Sequence, residues 1–372
     1  MRVVLAPDKF KGCLSATEVA SALAAGVGRV QPAAEITMLP VADGGDGTVE
    51  AALSVGYERV EVAAVGPSGE SVHTAYGLRD RRAVIELADV VGMSRLPKGK
   101  LEPLTSSTYG LGVVIADALD RGIEQIVLGV GGSASTDGGA GMMQALGLVI
   151  LDDRGDELAR GGAALRDAHS LNRSGLHEGM GQVEVLVASD VDNPLLGPTG
   201  AAAVFGPQKG ASATDVETLE QGLAQWARLV EEVNGHALAG TPGAGAAGGT
   251  PFAALAFLDA TIKPGIELIL DLIGFADAVP GADLVVTGEG SLDEQSLLGK
   301  APIGVSNAVR AIGIPVVAVA GRCVLSEEQL HEAGIRAGYP LSDLEPDAAR
   351  SIANAKALRR ETGERIAEQW LT

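Results

Sequence analysis

Cysteine is nearly absent from this chain. The sequence has only Cys13 and Cys323, and neither lies at a zinc-ligand spacing from another cysteine or a histidine. The five histidines also contain no pair at a metal-ligand spacing. A disulfide framework, typical of small secreted domains, is therefore excluded. We expect a protein of the reducing cytoplasm without structural zinc.

Basic and aromatic residues are also scarce. The chain has 28 Lys and Arg against 48 Asp and Glu, a net charge of −20, and only 3% of its residues are aromatic. A surface of this charge repels nucleic acid and anionic membranes, and few aromatic rings are available to stack on bases. We expect small molecules as partners, neither nucleic acid nor membrane, and a monomer or a homodimer.

Long hydrophobic runs and several common motifs are missing as well. The first apolar run, residues 3–7, is too short for a signal peptide, and acids or glycines interrupt every longer run. No membrane-spanning segment is therefore predicted. The chain also lacks a G-x-x-x-x-G-K-[ST] phosphate loop and a G-x-S-x-G nucleophile elbow. These absences argue against a P-loop kinase and a serine hydrolase.

Glycine, in contrast, is abundant, and much of it lies in one type of loop. The chain has 51 glycines, and residues 129–139 combine glycines and hydroxyls with a single acid. A buried-strand pattern precedes this loop and an apolar helix pattern, residues 140–146, follows it. Backbone N–H groups converge readily in such a loop, and a helix amino terminus attracts anions. The segment therefore predicts an anion-binding site.

Acids accompany glycines in several other loops. Asp43 and Asp46 lie in a glycine-rich loop after a strand, Glu289 lies between two glycines at a predicted strand end, and Asp190 and Asp192 follow an apolar strand. Carboxylates of this kind suit a hard cation such as Mg²⁺, which keeps several waters. Each loop also has a structural interpretation as a turn, a helix cap or an Asx-turn. Together they suggest that phosphate and metal are handled by one protein.

The glycine loop also matches a dinucleotide-binding fingerprint. Gly129, Gly131 and Ala134 have the required spacing, and Asp152 ends the next apolar run, as a ribose-binding acid would. The predicted helix after the loop is short for a Rossmann crossover, and the three hydroxyl residues in the loop are unusual for a pyrophosphate held by backbone. Dinucleotide binding is therefore the weaker alternative.

The predicted elements give an α/β fold in two domains. Residues 3–6, 36–39, 284–287 and 315–320 form buried-strand patterns that alternate with helices, and this predicts a doubly wound parallel sheet. Alternating segments on both sides of residues 66–69 predict a hairpin in a mixed α/β region. We predict a discontinuous Rossmann- or flavodoxin-like terminal domain, residues 1–58 plus 281–372, and an inserted mixed α/β domain, residues 59–280.

Seven motifs occur along the chain in a recognisable order. They are APDKFKG at 6–12, PVADGGDGT at 40–48, GGSA with DGG at 131–139, DVDNPL at 190–195, FGPQKG at 205–210, GAGAAGG at 243–249 and TGEG at 287–290. In this order they resemble the type I glycerate kinases over essentially the whole chain. Two departures are mild: Ser135-Thr136 stands where Thr-Asn is expected, and Lys9 where serine is common.

This resemblance implies ATP-dependent phosphorylation of D-glycerate with Mg²⁺, in the cleft between two α/β domains. It implies 2-phosphoglycerate as the product, with 3-phosphoglycerate as the alternative. Phosphoryl transfer needs positioning and charge neutralisation more than covalent chemistry. Which group of loops holds ATP and which holds glycerate stays open.

The resemblance and the motifs together give three sets of candidate residues. The catalytic candidates are Asp8, Lys11, Asp190 and Lys209, with Asp8 or Asp190 as the base that accepts the hydroxyl proton. The metal candidates are Asp43, Asp190, Glu289 and Asp293. The candidates for substrate and phosphate binding are Ser15, Gly44, Gly45, Gly131, Gly132, Ser133, Ser135, Asp137, Gly138, Asn193, Gln208, Lys300 and Arg322. Arg322 is the candidate for a bidentate contact to the glycerate carboxylate.

Two rival functions make different predictions. An NAD(P)-dependent oxidoreductase acting on a hydroxy acid would change the absorbance of its cofactor, and its activity would not depend on ATP. A non-catalytic metabolite-binding protein would bind its ligand without releasing ADP.

Overall fold

The computed structural model describes residues 1–371, Leu298 by its backbone alone. The strands are β1 (Arg2–Pro7), β2 (Glu35–Met38), β3 (Glu58–Val65), β4 (Ser71–Arg79), β5 (Arg82–Glu86), β6 (Gln125–Gly129), β7 (Val149–Leu151), β8 (Ser170–Asn172), β9 (Glu184–Ala188), β10 (Thr261–Lys263), β11 (Leu284–Leu292), β12 (Val316–Cys323) and β13 (Ile335–Pro340). The α-helices are α1 (Ala16–Val30), α2 (Thr48–Ser54), α3 (Ala88–Val91), α4 (Tyr109–Asp120), α5 (Ala140–Ala145), α6 (Ala201–Phe205), α7 (Ala213–Asn234), α8 (Thr250–Phe257), α9 (Gly265–Leu272), α10 (Phe275–Ala278), α11 (Ala301–Arg310), α12 (Glu327–Glu332), α13 (Ala348–Ala353) and α14 (Ala355–Trp370).

The chain folds into two compact units. The first contains Met1–Asp43, Glu50–Gly56 and the chain from Gly265 onward, and the second contains Gly44–Val49 and Tyr57–Pro264. These bounds differ from the predicted ones, because residues 265–280 belong to the first unit and residues 44–49 and 57–58 to the second. The α/β class predicted from the sequence is confirmed.

The first unit has a five-stranded parallel sheet in the order β13-β12-β11-β1-β2. Strand β1 has β2 on one side and β11 on the other, so the strand order reverses between β1 and β11. Ligands of such sheets bind outside the carboxyl ends of the strands at this reversal. Pro7 pairs with Gly288 there, so the residues that follow, Asp8 and Glu289, are neighbours.

Strand β11 is longer than the sequence pattern predicts. We expected residues 288–290 to form a loop, but β11 continues to Leu292, with Ser291 opposite Arg322 and Leu292 opposite Cys323 of β12. The expectation of a loop was wrong because the partner strand also continues and supplies hydrogen bonds. Gly288 is required for close packing, since a Cβ there would lie 2.1 Å from the Val319 carbonyl oxygen.

Helices α1 and α14 cross at two glycines in the first unit. A Cβ on Gly26 would lie 2.0 Å from the Arg360 carbonyl oxygen, and a Cβ on Gly363 would lie 2.4 Å from the Leu23 carbonyl oxygen. Both obstacles are backbone atoms, which cannot move aside unless the helices separate. This crossing covers the core formed by Val3, Leu5, Val286 and Val317 of the sheet with Leu23 and Ile366 of the helices.

We expect the Gly26→Ala variant to lower the free energy of unfolding by about 1–3 kcal/mol, because overpacking forces the two backbones apart. Gly28→Ala on the same helix is the matched control, since no heavy atom lies within 4 Å of its Cβ position. Alanine should there stabilise the helix by up to about 1 kcal/mol. Urea denaturation of both variants measures the difference, and equal stabilities would contradict the prediction.

The second unit has a six-stranded mixed sheet in the order β10-β9-β6-β5-β4-β3. Strands β10, β9, β6 and β5 are parallel, and β4 and β3 are antiparallel to their neighbours. The predicted hairpin is confirmed, with Val65 opposite Ser71. Trp226 of α7 is fully buried, and its Nε1 donates a hydrogen bond of 3.0 Å to the Gly138 carbonyl oxygen. The core thereby holds one end of the glycine loop.

None of the helices in the described part of the chain has the length and apolar composition needed to cross a membrane.

Candidate active site

The predicted site residues fall into one group in each unit. The first unit contains Asp8, Lys11, Ser15, Asp43, Glu289, Asp293, Lys300 and Arg322. The second contains Gly44, Gly45, Gly131, Gly132, Ser133, Ser135, Asp137, Gly138, Asp190, Asn193, Gln208 and Lys209.

Asp8 lies directly after β1 and is buried, with 7% of its surface exposed. Its N–H donates to the Gly288 carbonyl oxygen at 2.8 Å, and its Oδ1 accepts the Lys9 N–H at 2.6 Å. Burial, reinforced by the neighbouring Asp43 and Glu289, raises the pKa of Asp8 to about 7. A carboxyl of this pKa can both accept and release a proton near neutral pH.

Glu289 is the second buried acid of this group. Burial raises the pKa of Glu289 above its ordinary value, while the Ser296 hydroxyl and Lys300 oppose the shift. Within the described part of the chain, its Oε1 is buried without a hydrogen-bond partner. A buried carboxylate oxygen without a partner is costly. An added cation or a substrate hydroxyl would relieve this cost.

These acids fit a particular kind of magnesium site. Among the described residues, no three acids, histidines or cysteines converge to form a metal cage. Mg²⁺ is more often held by one or two carboxylates together with phosphate oxygens and water. Asp43 and Glu289, with an unpartnered oxygen on Glu289, fit an ion that arrives with a nucleotide rather than a permanently bound one.

A short polar chain continues from the acids of the first unit. Arg322 is exposed, and its Nε donates to Ser291 Oγ at 3.1 Å. Ser291 Oγ in turn donates to Asp293 Oδ2 at 3.1 Å. Lys300 precedes the first residue of α11 and is half-buried. The arrangement leaves the Arg322 guanidinium accessible to a carboxylate in solution.

Lys11 and Ser15 have simpler surroundings. Lys11 is exposed just after the buried Phe10. Ser15 caps helix α1: its Oγ accepts the Glu18 N–H at 3.2 Å, and Glu18 accepts the Ser15 N–H at 3.1 Å. These two reciprocal bonds form a capping box. The Ser15 hydroxyl is therefore already bonded in the cap of helix α1.

Asp137 organises the glycine loop of the second unit. Its Oδ2 accepts the N–H and the hydroxyl of Thr108 at 2.8 and 2.9 Å, and also the Gly141 N–H at 3.3 Å. Its Oδ1 accepts the Gly139 N–H at 3.2 Å. Burial raises the pKa of Asp137, and these bonds oppose the shift. The first N–H groups of α5 are thus bonded to a buried carboxyl of the protein.

Lys209 enters the same loop from the side. Only 3% of its surface is exposed, and its Nζ donates to Ser133 Oγ at 2.8 Å and to the Ser135 carbonyl oxygen. Burial lowers the pKa of Lys209 to about 7, although Asp137 counteracts the shift. Lys209 therefore holds the glycine loop in place, because its ammonium is bonded to Ser133 and Ser135 of that loop.

Three glycine-rich segments pack closely on one another in this unit. A Cβ on Gly131 would lie 2.7 Å from Gly45 Cα, and a Cβ on Gly248 would lie 2.1 Å from the Ser135 carbonyl oxygen. The Gly138 N–H donates to the Gly248 carbonyl oxygen at 2.9 Å. Residues 243–249 therefore support the glycine loop by packing. The solvent-facing part of the loop is reduced to Gly131 and Gly132.

The remaining candidates of the second unit follow β9 and α6. Asp190 is exposed, and Asn193 is half-buried with its Nδ2 donating to the Thr199 carbonyl oxygen at 2.8 Å. Gln208 is exposed next to the buried Lys209. The residue types alone do not reveal that Gln208 is exposed while the adjacent Lys209 is buried.

Comparison with known proteins gives one consistent result. Residues 3–371 match the model of the glycerate kinase family. The chain belongs to the glycerate kinase family. It is 45% identical to the glycerate kinase of Halalkalibacterium halodurans over 91% of this chain and 90% of that protein. It is 40% identical to the glycerate 2-kinase of Escherichia coli over 91% of this chain and 90% of that protein.

A solved structure agrees with this membership. The fold is similar to the crystal structure of a candidate glycerate kinase 2 from Salmonella typhimurium, with a TM-score of 0.87 and 39% sequence identity. The similarity covers 99% of this chain and 98% of that one. The chain is therefore an enzyme of the glycerate kinase family, and the resemblance recognised from its motifs is confirmed.

Sequence reasoning missed two residues beside the kinase's candidate groups. The Arg359 guanidinium lies 3.9 Å over the Phe10 ring and supports the 8–12 loop, while Glu86 accepts hydrogen bonds from the 44–49 segment. Glu86 had a visible signal, since it is an acid directly after the apolar residues 83–85 of its strand. Arg359 had none, because it lies in a helix with many charged residues.

Proposed function

We propose that this enzyme transfers the γ-phosphoryl group of ATP to the hydroxyl group of D-glycerate, with Mg²⁺, and releases 2-phosphoglycerate and ADP. The observation that carries the proposal is the buried Asp8, which lies beside Asp43 and Glu289 and has a pKa of about 7. A carboxyl of this kind suits the acceptance of a proton from a substrate hydroxyl. The name of the Escherichia coli relative, glycerate 2-kinase, supports the choice of product.

The first unit supplies the base and the groups for metal and carboxylate in this proposal. Asp8 accepts the hydroxyl proton; the alternative base is Asp190, which belongs to the second unit and is exposed. Asp43 and Glu289 would hold Mg²⁺, with Asp293 and Asp190 as further candidates. When bound, the ion neutralises charge on the phosphates. Arg322, exposed and fixed at Ser291, pairs with the glycerate carboxylate, and Lys300 adds positive charge near Glu289.

The second unit supplies a phosphate cradle in this proposal. The Gly131 and Gly132 backbone, the accessible part of the glycine loop, faces the phosphates. Asp137 and Lys209 keep that loop in shape through buried hydrogen bonds. Asn193 and Gln208 remain candidates for polar contacts, and Lys11, of the first unit, for a charged one. Positioning by a rigid backbone costs little reorganisation at the moment of transfer.

A coupled assay of ADP release tests the proposal. With D-glycerate, ATP and Mg²⁺ we expect continuous ADP formation, which stops when Mg²⁺ is left out. Adding enolase should convert the product directly to phosphoenolpyruvate, because enolase acts on 2-phosphoglycerate. A signal that also requires phosphoglycerate mutase would identify 3-phosphoglycerate instead. No ADP across a panel of hydroxy acids would overturn the kinase proposal, and a response to NAD(P)⁺ would favour an oxidoreductase.

A further inference from the structure

We propose that Glu86 is a positioning residue, which holds the backbone of Gly44–Val49 at the carboxyl end of β6 in the conformation used for phosphoryl transfer. This inference rests on the proposed function, because Gly44 and Gly45 belong to the candidate phosphate-binding set. The residue lies outside every motif that identified the family.

The contacts of Glu86 are directed at one segment. Glu86 is the last residue of β5 and pairs with Gly129 of β6, and only 2% of its surface is exposed. Its Oε2 accepts the Gly47 N–H at 3.0 Å and the Val49 N–H at 3.3 Å. One carboxyl oxygen therefore satisfies two donors where helix α2 begins.

The segment needs such a contact because it has few side chains of its own to hold it. Gly44 and Gly47 adopt φ angles of 80° and 99°, in the region that favours glycine. Thr48 Oγ1 donates to the Gly45 carbonyl oxygen at 2.6 Å, which closes the segment on itself. A bond from outside the segment is needed to fix it to the sheet, and Glu86 provides two.

Close packing on β6 fixes the segment from the other side. A Cβ on Gly129 would lie 2.8 Å from the Gly44 carbonyl oxygen and 3.1 Å from Thr48 Oγ1. The segment thus lies directly against β6 and the glycine loop, and it is bonded to the end of β5. A displacement of the segment would also disturb Gly131, which packs against Gly45.

The charges around Glu86 explain how the contact works at neutral pH. The charged groups that act most strongly on it are Asp89 on α3 and Asp46 in the segment, and both are acids. Burial, followed by the effect of Asp89, raises the pKa of Glu86 to about 8. Burial and both neighbouring acids therefore favour the uncharged form of the side chain. A neutral amide of the same shape should serve as well as the acid.

The test compares Glu86→Leu with the conservative variant Glu86→Gln. In Glu86→Leu we expect the amide hydrogens of Gly47 and Val49 to exchange at least about tenfold faster, because they lose their acceptor. We expect kcat/KM to fall by about a hundredfold, the scale of a misplaced catalytic segment. Glu86→Gln should keep both quantities within about threefold of wild type, since its amide oxygen still accepts both bonds.

Gly129→Ala is a second variant in case Glu86→Leu does not fold. Its added Cβ presses on the Gly44 carbonyl oxygen and Thr48 while the Glu86 carboxyl stays in place, so it should speed exchange at Gly47 and Val49 and lower kcat/KM together. Thermal unfolding of each variant identifies a general loss of stability.

Two results would overturn the proposal. One is faster exchange at Gly47 and Val49 with unchanged kinetics, since the contact would then be structural only. The other is an equal loss in Glu86→Gln and Glu86→Leu, since the acid itself would then be required. Failure of the proposed function gives a different result: wild type would release no ADP, whatever the exchange rates.

Discussion

Replacing Asp8 with asparagine should lower kcat by about a thousandfold, because a positioned general base contributes about 10²–10⁴ to such rates. Asparagine keeps the shape of the side chain and can still accept the Lys9 N–H, but it cannot accept a proton. The loss should therefore fall on kcat, with the KM for ATP and for glycerate changed by less than about fivefold. Steady-state kinetics at saturating Mg²⁺ measure both quantities.

The pH dependence identifies the titrating group. Because the pKa of Asp8 is about 7, the wild-type kcat/KM should rise as pH increases through 7. The Asp8→Asn variant should lack this rise. The matched comparison is Asp190→Asn, the alternative base. If Asp190→Asn abolishes the rise in activity while Asp8→Asn keeps it, Asp190 is the base and our choice of Asp8 is wrong.

The Asp8→Asn variant should be more stable than wild type, although it is less active. The folded-state pKa of Asp8 is raised from 3.8 to about 7, so the folded protein keeps a proton that the unfolded chain releases. The resulting destabilisation is absent below pH 3.8, grows as pH rises, and is complete above pH 7. Asp8→Asn should therefore be more stable than wild type by about 4 kcal/mol at about pH 8, and the difference should shrink toward pH 4. Thermal unfolding across this range measures it.

Replacing Lys209 with methionine should lower kcat by about a hundredfold, although its ammonium is bonded to protein atoms and not exposed to a ligand. The variant removes the hydrogen bonds to Ser133 and to the Ser135 carbonyl, which hold the loop that contains Gly131 and Gly132. We therefore expect a looser loop and a poorly positioned phosphate. Lys98→Met is the matched control, because it removes the same charge at an exposed position.

The stability of Lys209→Met relative to wild type should depend on pH. The folded-state pKa of Lys209 is lowered from 10.5 to about 7, so its buried charge destabilises the fold fully below pH 7 and progressively less up to pH 10.5. Methionine carries no such charge. Between about pH 6 and about pH 10, the stability of Lys209→Met relative to wild type should fall by about 4 kcal/mol. A constant difference would show that Lys209 is not a buried charged group.

The local features of the fold follow from short sequence patterns. The hairpin around residues 66–69 was predicted because polar and apolar residues alternate on both sides of a turn. The capping box at Ser15 and Glu18 is likewise local, because both of its bonds form within three residues. Strand β11 was predicted too short, because its continuation depends on β12, which is distant in sequence.

The candidate site was only partly predictable. Asp8 follows its strand as predicted, whereas Glu289 lies within β11 and not in a loop after it, and the two acids are neighbours in the parallel sheet. Their assignment to metal, base or substrate remains a prediction. Residues 243–249 had the composition of a ligand loop, yet they pack against the loop that contains Ser135 and Gly138. Composition alone cannot distinguish a glycine-rich segment that binds a ligand from one that only packs closely on its neighbours.

The sequence by itself determined the family, the α/β class and the set of polar residues that follow the strands, because these depend on motifs and on local hydrophobic patterns. Only the tertiary structure decided which of these groups are buried. Asp8 and Lys209 owe their shifted pKa values to desolvation by segments far away in the chain, and Glu86 contacts the 44–49 segment only because β5 lies beside β6, against which that segment packs. Burial is a property of the packed chain, and the chemistry of a buried acid or lysine follows from it.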